Sequence, residues 1–126
     1  MAAELVQFET DGPIVIARVH GTPRLDYSNA EMFGQALQGY VLTNPGCHML
    51  VSLAGIEFIS SAVLSELIQT MRDATKDAGS LRVCALSDYV ASVFEATHLD
   101  KAFKVLPTVA EAVESYKADV AISGGG

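Results

Sequence analysis

Between Met49 and Leu53 the chain carries a short, nearly continuous apolar run, Met49, Leu50, Val51 and Leu53. That is the pattern of a strand covered on both faces in a parallel sheet. Gly55 breaks the run, and Leu64, Leu67, Ile68 and Met71 then recur at i, i+3, i+4 and i+7, with Glu66, Gln69 and Arg72 on the opposite side. The spacing predicts an amphipathic helix whose N-terminus holds Ser60 and Ser61.

The same reading extends in both directions. Leu5 to Phe8 predicts a first short strand, Asp11-Gly12-Pro13 a turn, and Ile14 to Val19 an interior strand closed by Gly21-Thr22-Pro23. Ser28-Asn29-Ala30-Glu31 fits a capping box, so helix one is expected from Ser28, with Phe33, Ala36, Leu37, Tyr40 and Val41 inward and Asn44-Pro45-Gly46 as its stop. Helix two should end near Gly79 as a left-handed cap. Leu81 to Leu86 follows as a strand, with Arg82, Cys84 and Leu86 facing away from Val83 and Ala85. Ser87 is placed to cap a short third helix carrying Val90, Val93 and Phe94, and Phe103 to Leu106 predicts a brief strand ended by Pro107. A second capping box, Thr108 to Glu111, opens a last helix with Val109, Ala112, Val113 and Tyr116 buried. The order β-β-α-β-α-β-α-β-α implies an α/β fold with a mixed, mostly parallel sheet of four to five strands and about four helices. Residues 1–120 are expected to form a single domain, and residues 121–126, ending in Ser123-Gly124-Gly125-Gly126, a disordered tail.

Charge narrows the partners. The 126 residues include 15 acidic and 8 basic ones, a formal charge of −7, and no cluster of Lys or Arg. A phosphate-backbone partner needs a positive patch, so nucleic acid is not expected. No apolar stretch approaches the roughly 18 residues of a membrane span, and Met1 to Thr10 lacks the features of a signal peptide, so the expectation is a cytoplasmic protein without a membrane partner. Cys47 and Cys84 are read as reduced thiols, and His20, His48 and His98 stand singly, so neither a metal nor another cofactor is implied.

The chemistry of the chain centres on its paired serines. A serine at a helix N-terminus is first of all a cap, its hydroxyl accepting from a free amide for about 1 kcal/mol. The same place also tolerates a phosphate, which meets free amides and the positive end of the helix dipole. Asp26, just before helix one, can complement that helix's dipole or bind a partner. Tyr27 and Tyr89, near two expected helix starts, are candidates for an exposed contact surface.

The segment Leu53-Ala54-Gly55-Ile56-Glu57-Phe58-Ile59-Ser60-Ser61-Ala62-Val63-Leu64 resembles the signature of STAS domains of the anti-sigma factor antagonists, roughly D-L-x-G-V-x-F-I-D-S-S/T-G-L. His20-Gly21, Leu25-Asp26, Leu81 to Ser87 and Phe94 to Phe103 are similar to further parts of that family, so the resemblance spans about Leu5 to Tyr116. It implies the STAS fold, no catalysis, phosphorylation at Ser61, and a partner or nucleotide surface including Asp26, Ser60, Ala62 and Val63. The implied partner is an anti-sigma factor that is also a serine protein kinase, in a bacterial partner-switching pathway controlling transcription under stress. Ser60 replaces the family's acidic residue, Ala62 a second hydroxyl residue and Val63 a glycine, and Ser52 stands where many members have Asp. Bulk after the serine is similar to members that act as unphosphorylated scaffold subunits of stress-signalling complexes, the alternative function. A serine hydrolase using Ser61 and His98 is the remote one, since no G-x-S-x-G elbow surrounds Ser61. A homodimer or a larger signalling assembly is left open.

Overall fold

A tight turn starts the architecture. In the computed structural model, which describes residues 5–124, β1 (Val6–Asp11) and β2 (Ile14–Val19) pair antiparallel, with Asp11 opposite Ile14. Gly12, between them, has φ +60°, a left-handed conformation that a side chain would disfavour. The chain continues through β3 (Arg24–Leu25), α1 (Ala30–Thr43), β4 (His48–Ser52), β5 (Phe58–Ile59) and α2 (Ser61–Lys76). It ends with β6 (Ser80–Cys84), α3 (Asp88–Ala96), α4 (Leu99–Ala102), β7 (Val105–Leu106) and α5 (Val109–Gly124).

The main sheet has the order β1-β2-β4-β6-β7, parallel from β2 onward, and β3 and β5 form a separate parallel ribbon. Both sheet faces are covered, which explains the apolar runs. Val15 and Ala17, Met49 and Val51, and Leu81 and Val83 face α1, α2 and α3 and pack with Phe33, Leu37, Val63, Leu67 and Phe94. Ile14, Ile16, Leu50 and Cys84 face the other way, where Ala112 and Tyr116 of α5 cover them. Burying these aliphatic and aromatic side chains supplies about 1.5–3 kcal/mol each.

Several local expectations are corrected. β1 runs to Asp11 rather than ending at Phe8, because its full length pairs with β2. The Ser28 capping box does not form: Asp26 Oδ1 accepts from both the Ser28 amide and the Ser28 hydroxyl, at 3.0 and 2.6 Å, and α1 starts two residues later with Asn29 as N-cap. At the end of α2 the left-handed residue is Ala78, φ +65°, not Gly79. Gly79 is instead required by packing, since a Cβ there would collide with the carbonyl oxygen of Cys47. The Ser87 cap does form, its hydroxyl accepting from the Val90 amide at 3.2 Å, and Thr108 accepts likewise from Glu111 at 3.1 Å. The turn before β7 contains the one-turn helix α4, which the hydrophobic pattern does not reveal. The expected tail, residues 121–126, falls in the last turn of α5 and, at 125–126, outside the described residues. No helix among the described residues is long and apolar enough to cross a membrane.

Candidate functional site

Two segments that precede helices are joined side by side to make the site. The ribbon pairs Arg24 with Phe58 and Leu25 with Ile59. Pro23 O accepts from the Glu57 and Phe58 amides at 2.6 and 3.4 Å, and Leu25 O accepts from Ser60 N at 2.9 Å. Both strand pairs are offset by 34 residues, and the contact between Tyr27 and Ser61 keeps that offset, with the tyrosine hydroxyl 3.4 Å from Ser61 Oγ. The register of two short strands thus decides which residue faces Ser61.

The loop bearing Tyr27 is held by its neighbours. Asn29 Oδ1 accepts from the Asp26 amide at 2.8 Å and Asn29 Nδ2 donates to Arg24 O at 2.9 Å. The two Ser28 hydrogen bonds, the hydroxyl's above all, hold the Asp26 carboxyl below the ordinary carboxylate range, with a smaller contribution from Arg24 at 3.7 Å. Tyr27 itself is left 76% exposed at the tip. Alongside, Arg24 lies over the Phe58 ring, 4.3 Å from its centroid, and Phe58 stacks on Tyr89 with centroids 5.7 Å apart. One cation, the half-buried Phe58 and the exposed Tyr27 and Tyr89 therefore form a patch around the segment that leads into α2, the kind of amphipathic surface that protein partners use.

The two serines differ sharply. Ser60 is the N-cap by backbone conformation, with its carbonyl accepting from the Val63 and Leu64 amides, but its side chain is buried and its hydroxyl has no hydrogen-bond partner among the described residues. Ser61 is the first helical residue, exposed, and its hydroxyl meets Tyr27 instead of capping an amide. The first turn of α2 contains no acidic residue. Nothing on that turn opposes added negative charge near the free amides.

The STAS domain family profile matches residues 6–112, from β1 into α5. The chain belongs to the STAS domain family. A STAS domain anti-sigma-factor antagonist from Planctomyces limnophilus is 19% identical, covers 89% of this chain and 97% of its own, and superposes with a TM-score of 0.83. An anti-sigma factor antagonist from Mycobacterium paratuberculosis is 25% identical over 89% of this chain and 92% of its own, with a TM-score of 0.78. The anti-sigma factor antagonist SpoIIAA, in its unphosphorylated form, is 19% identical over 90% of this chain and 96% of its own, with a TM-score of 0.75. The Bacillus SpoIIAA structure in the phosphorylated form, also 19% identical, covers 87% of this chain and 97% of its own, with a TM-score of 0.66.

Within this STAS domain the structure gathers Asp26, Ser60, Ser61 and Ala62 at one end of α2, and it corrects the expectation for Val63. Val63 is fully buried, because the third position of α2 lies on the inward face shared with Leu67, Thr70 and Ala74. Ser60 is only 7% exposed, so its hydroxyl is likewise withdrawn from the surface. No hydrogen bond joins Ser61 to His98 among the described residues, and His98 instead sits in a left-handed conformation before α4. No group of three His, Cys, Asp or Glu residues among the described residues is arranged to hold a metal ion. The ribbon, and with it the place of Phe58, escapes sequence reasoning, because two paired two-residue strands carry no periodicity.

Proposed function

We propose that this STAS domain is a regulatory interaction domain, an anti-sigma factor antagonist without catalysis of its own, switched by phosphorylation of Ser61. The observation that carries this reading is the placement of Ser61: exposed on the first residue of α2, engaged by no backbone amide, and met by the exposed Tyr27. In the unmodified state the patch binds a cytoplasmic anti-sigma factor that is also a serine kinase. That kinase transfers the γ-phosphoryl group of ATP to Ser61 Oγ, ADP leaves, and the hydroxyl proton passes to the kinase's base. The phosphate adds about −1.5 to −2 charge, and desolvating it inside a packed interface without a matching cation is costly. Release follows. The formal charge of −7 favours a partner with a basic surface, which speeds encounter more than it deepens affinity.

Intact-mass analysis with peptide mapping, on protein purified from its native cells with and without stress, tests the switch. Phosphate on Ser61 in one condition only supports it. Its absence from Ser61 in every condition overturns it and leaves the unphosphorylated scaffold. With the kinase in hand, Ser61→Ala binds constitutively and Ser61→Asp weakly.

A further inference from the structure

We propose that Tyr27 is the residue that holds the phosphate on Ser61, its hydroxyl donating to a phosphate oxygen. The proposal rests on the reading of Ser61 as the modified residue and adds what receives the charge. Tyr27 OH already stands 3.4 Å from Ser61 Oγ, and both residues are exposed. An ester on Oγ carries its terminal oxygens further out than the hydroxyl, into the gap between the two side chains. A phenol is a good donor to such an oxyanion, at about 2.5–2.7 Å, so the contact tightens rather than breaks.

The alternatives for satisfying the phosphate are few. Arg24, the cation of the patch, is already engaged, 3.7 Å from Asp26 and over the Phe58 ring at 4.3 Å. The free amides of the first turn of α2 approach the phosphate from the helix side only. Tyr27 comes from a separate segment, on a loop that Asp26, Ser28 and Asn29 keep in place. The ring needs no cavity to adjust, being 76% exposed. The consequence is a phosphate fixed over the patch and not waving in solvent, so the partner meets a localised dianion at the position its own side chains would occupy.

The test uses the full chain with phosphoserine installed at position 61 during translation, so no kinase is needed. Phosphorus-31 NMR titration compares the phosphorylated chain with its Tyr27→Phe and Tyr89→Phe variants, all three of which keep their aromatic rings. A donor to the dianion lowers the second phosphate pKa, which is about 6 without one. The expected result is a pKa about 0.3–1 higher in Tyr27→Phe than in the parent, with Tyr89→Phe matching the parent. The carbon-13 signals of the Tyr27 ring should move as the phosphate gains its proton. Coincident curves for the parent and Tyr27→Phe would overturn the proposal, as would Tyr27 ring signals that ignore the phosphate. Failure to find phosphate on Ser61 in native cells leaves these curves unaffected, so it sinks the switch without touching this contact.

Discussion

The hydroxyls of Ser80 and Tyr116 stand 2.6 Å apart beneath α5, and Ser80 Oγ also meets His48 Nδ1 at 2.8 Å. One side chain from each of β4, β6 and α5 is thereby joined on the face opposite α1 and α2. The Arg82 guanidinium covers the Tyr116 ring at 4.2 Å and pairs with Asp119 at 2.7 Å, so the helix is held by packing and charge together.

Alkali should loosen this attachment. Burial pushes the Tyr116 phenol up from 10.0 to about 12, against the smaller opposing effect of the Ser80 hydrogen bond. The folded state keeps the proton more tightly, so the contribution is complete below about pH 10 and is lost as the pH rises towards 12, by about 2–3 kcal/mol at most. Urea unfolding at pH 9 and pH 11.5 checks it. Tyr116→Phe should cost about 1 kcal/mol at neutral pH and show a shallower alkaline fall.

Two glycines should respond in opposite directions to the same change. Gly39 lies in α1 with nothing within 4 Å of the place a methyl group would take, so Gly39→Ala should stabilise by about 0.5–1 kcal/mol through helix propensity. At Gly79 a Cβ would meet the Cys47 carbonyl oxygen and stand 2.9 Å from that of Ala74. Backbone cannot step aside cheaply, so Gly79→Ala should destabilise by about 1–3 kcal/mol. Thermal melts of the two variants decide the matter; equal shifts of the same sign would refute the packing argument.

The serines at helix starts are separable in the same way. Ser87→Ala removes a formed cap and should cost about 1 kcal/mol. Ser60→Ala removes a buried hydroxyl without a partner among the described residues, and Ser61→Ala only the Tyr27 contact, so each should change stability by less than about 0.5 kcal/mol. Chemical denaturation of the three variants gives the order. A loss at Ser61 as large as that at Ser87 would restore the capping role to Ser61.

These serines also mark how far the sequence can be read. Strands such as β4 are legible because both faces are covered, which forces an apolar run, and α2 because a single face is. The place of Ser61 at the start of α2 is legible through the helical spacing that follows it. The ribbon is not, since two-residue strands have no periodicity and exist only through their pairing. The lost capping box at Ser28 has a similar cause: Asp26 accepts from the Ser28 amide that Glu31 would take and draws the Ser28 hydroxyl towards itself, and sequence spacing does not rank such rivals. Val63 departs from its expected place because a motif position is not a surface position, and helix phase turns this one inward.

Asp26 ties the loop before α1 to the acid response of the protein. Its carboxyl is held low chiefly by the Ser28 hydroxyl, then by the Ser28 amide. A lowered folded pKa means a contribution present above the ordinary value of 3.8 and lost as the pH falls through the folded one. The carboxyl carbon-13 shift of Asp26 should therefore titrate below 3.8, and Ser28→Ala, which removes the largest cause, should return the midpoint towards it. Because Ser28 is exposed and follows Tyr27 directly, the variant should remain folded while the loop loosens and the Tyr27–Ser61 contact weakens. A midpoint unmoved by Ser28→Ala would mean that this hydrogen bond does not hold the loop, and the placement of Tyr27 beside Ser61 would then rest on the Asn29 hydrogen bonds and the ribbon.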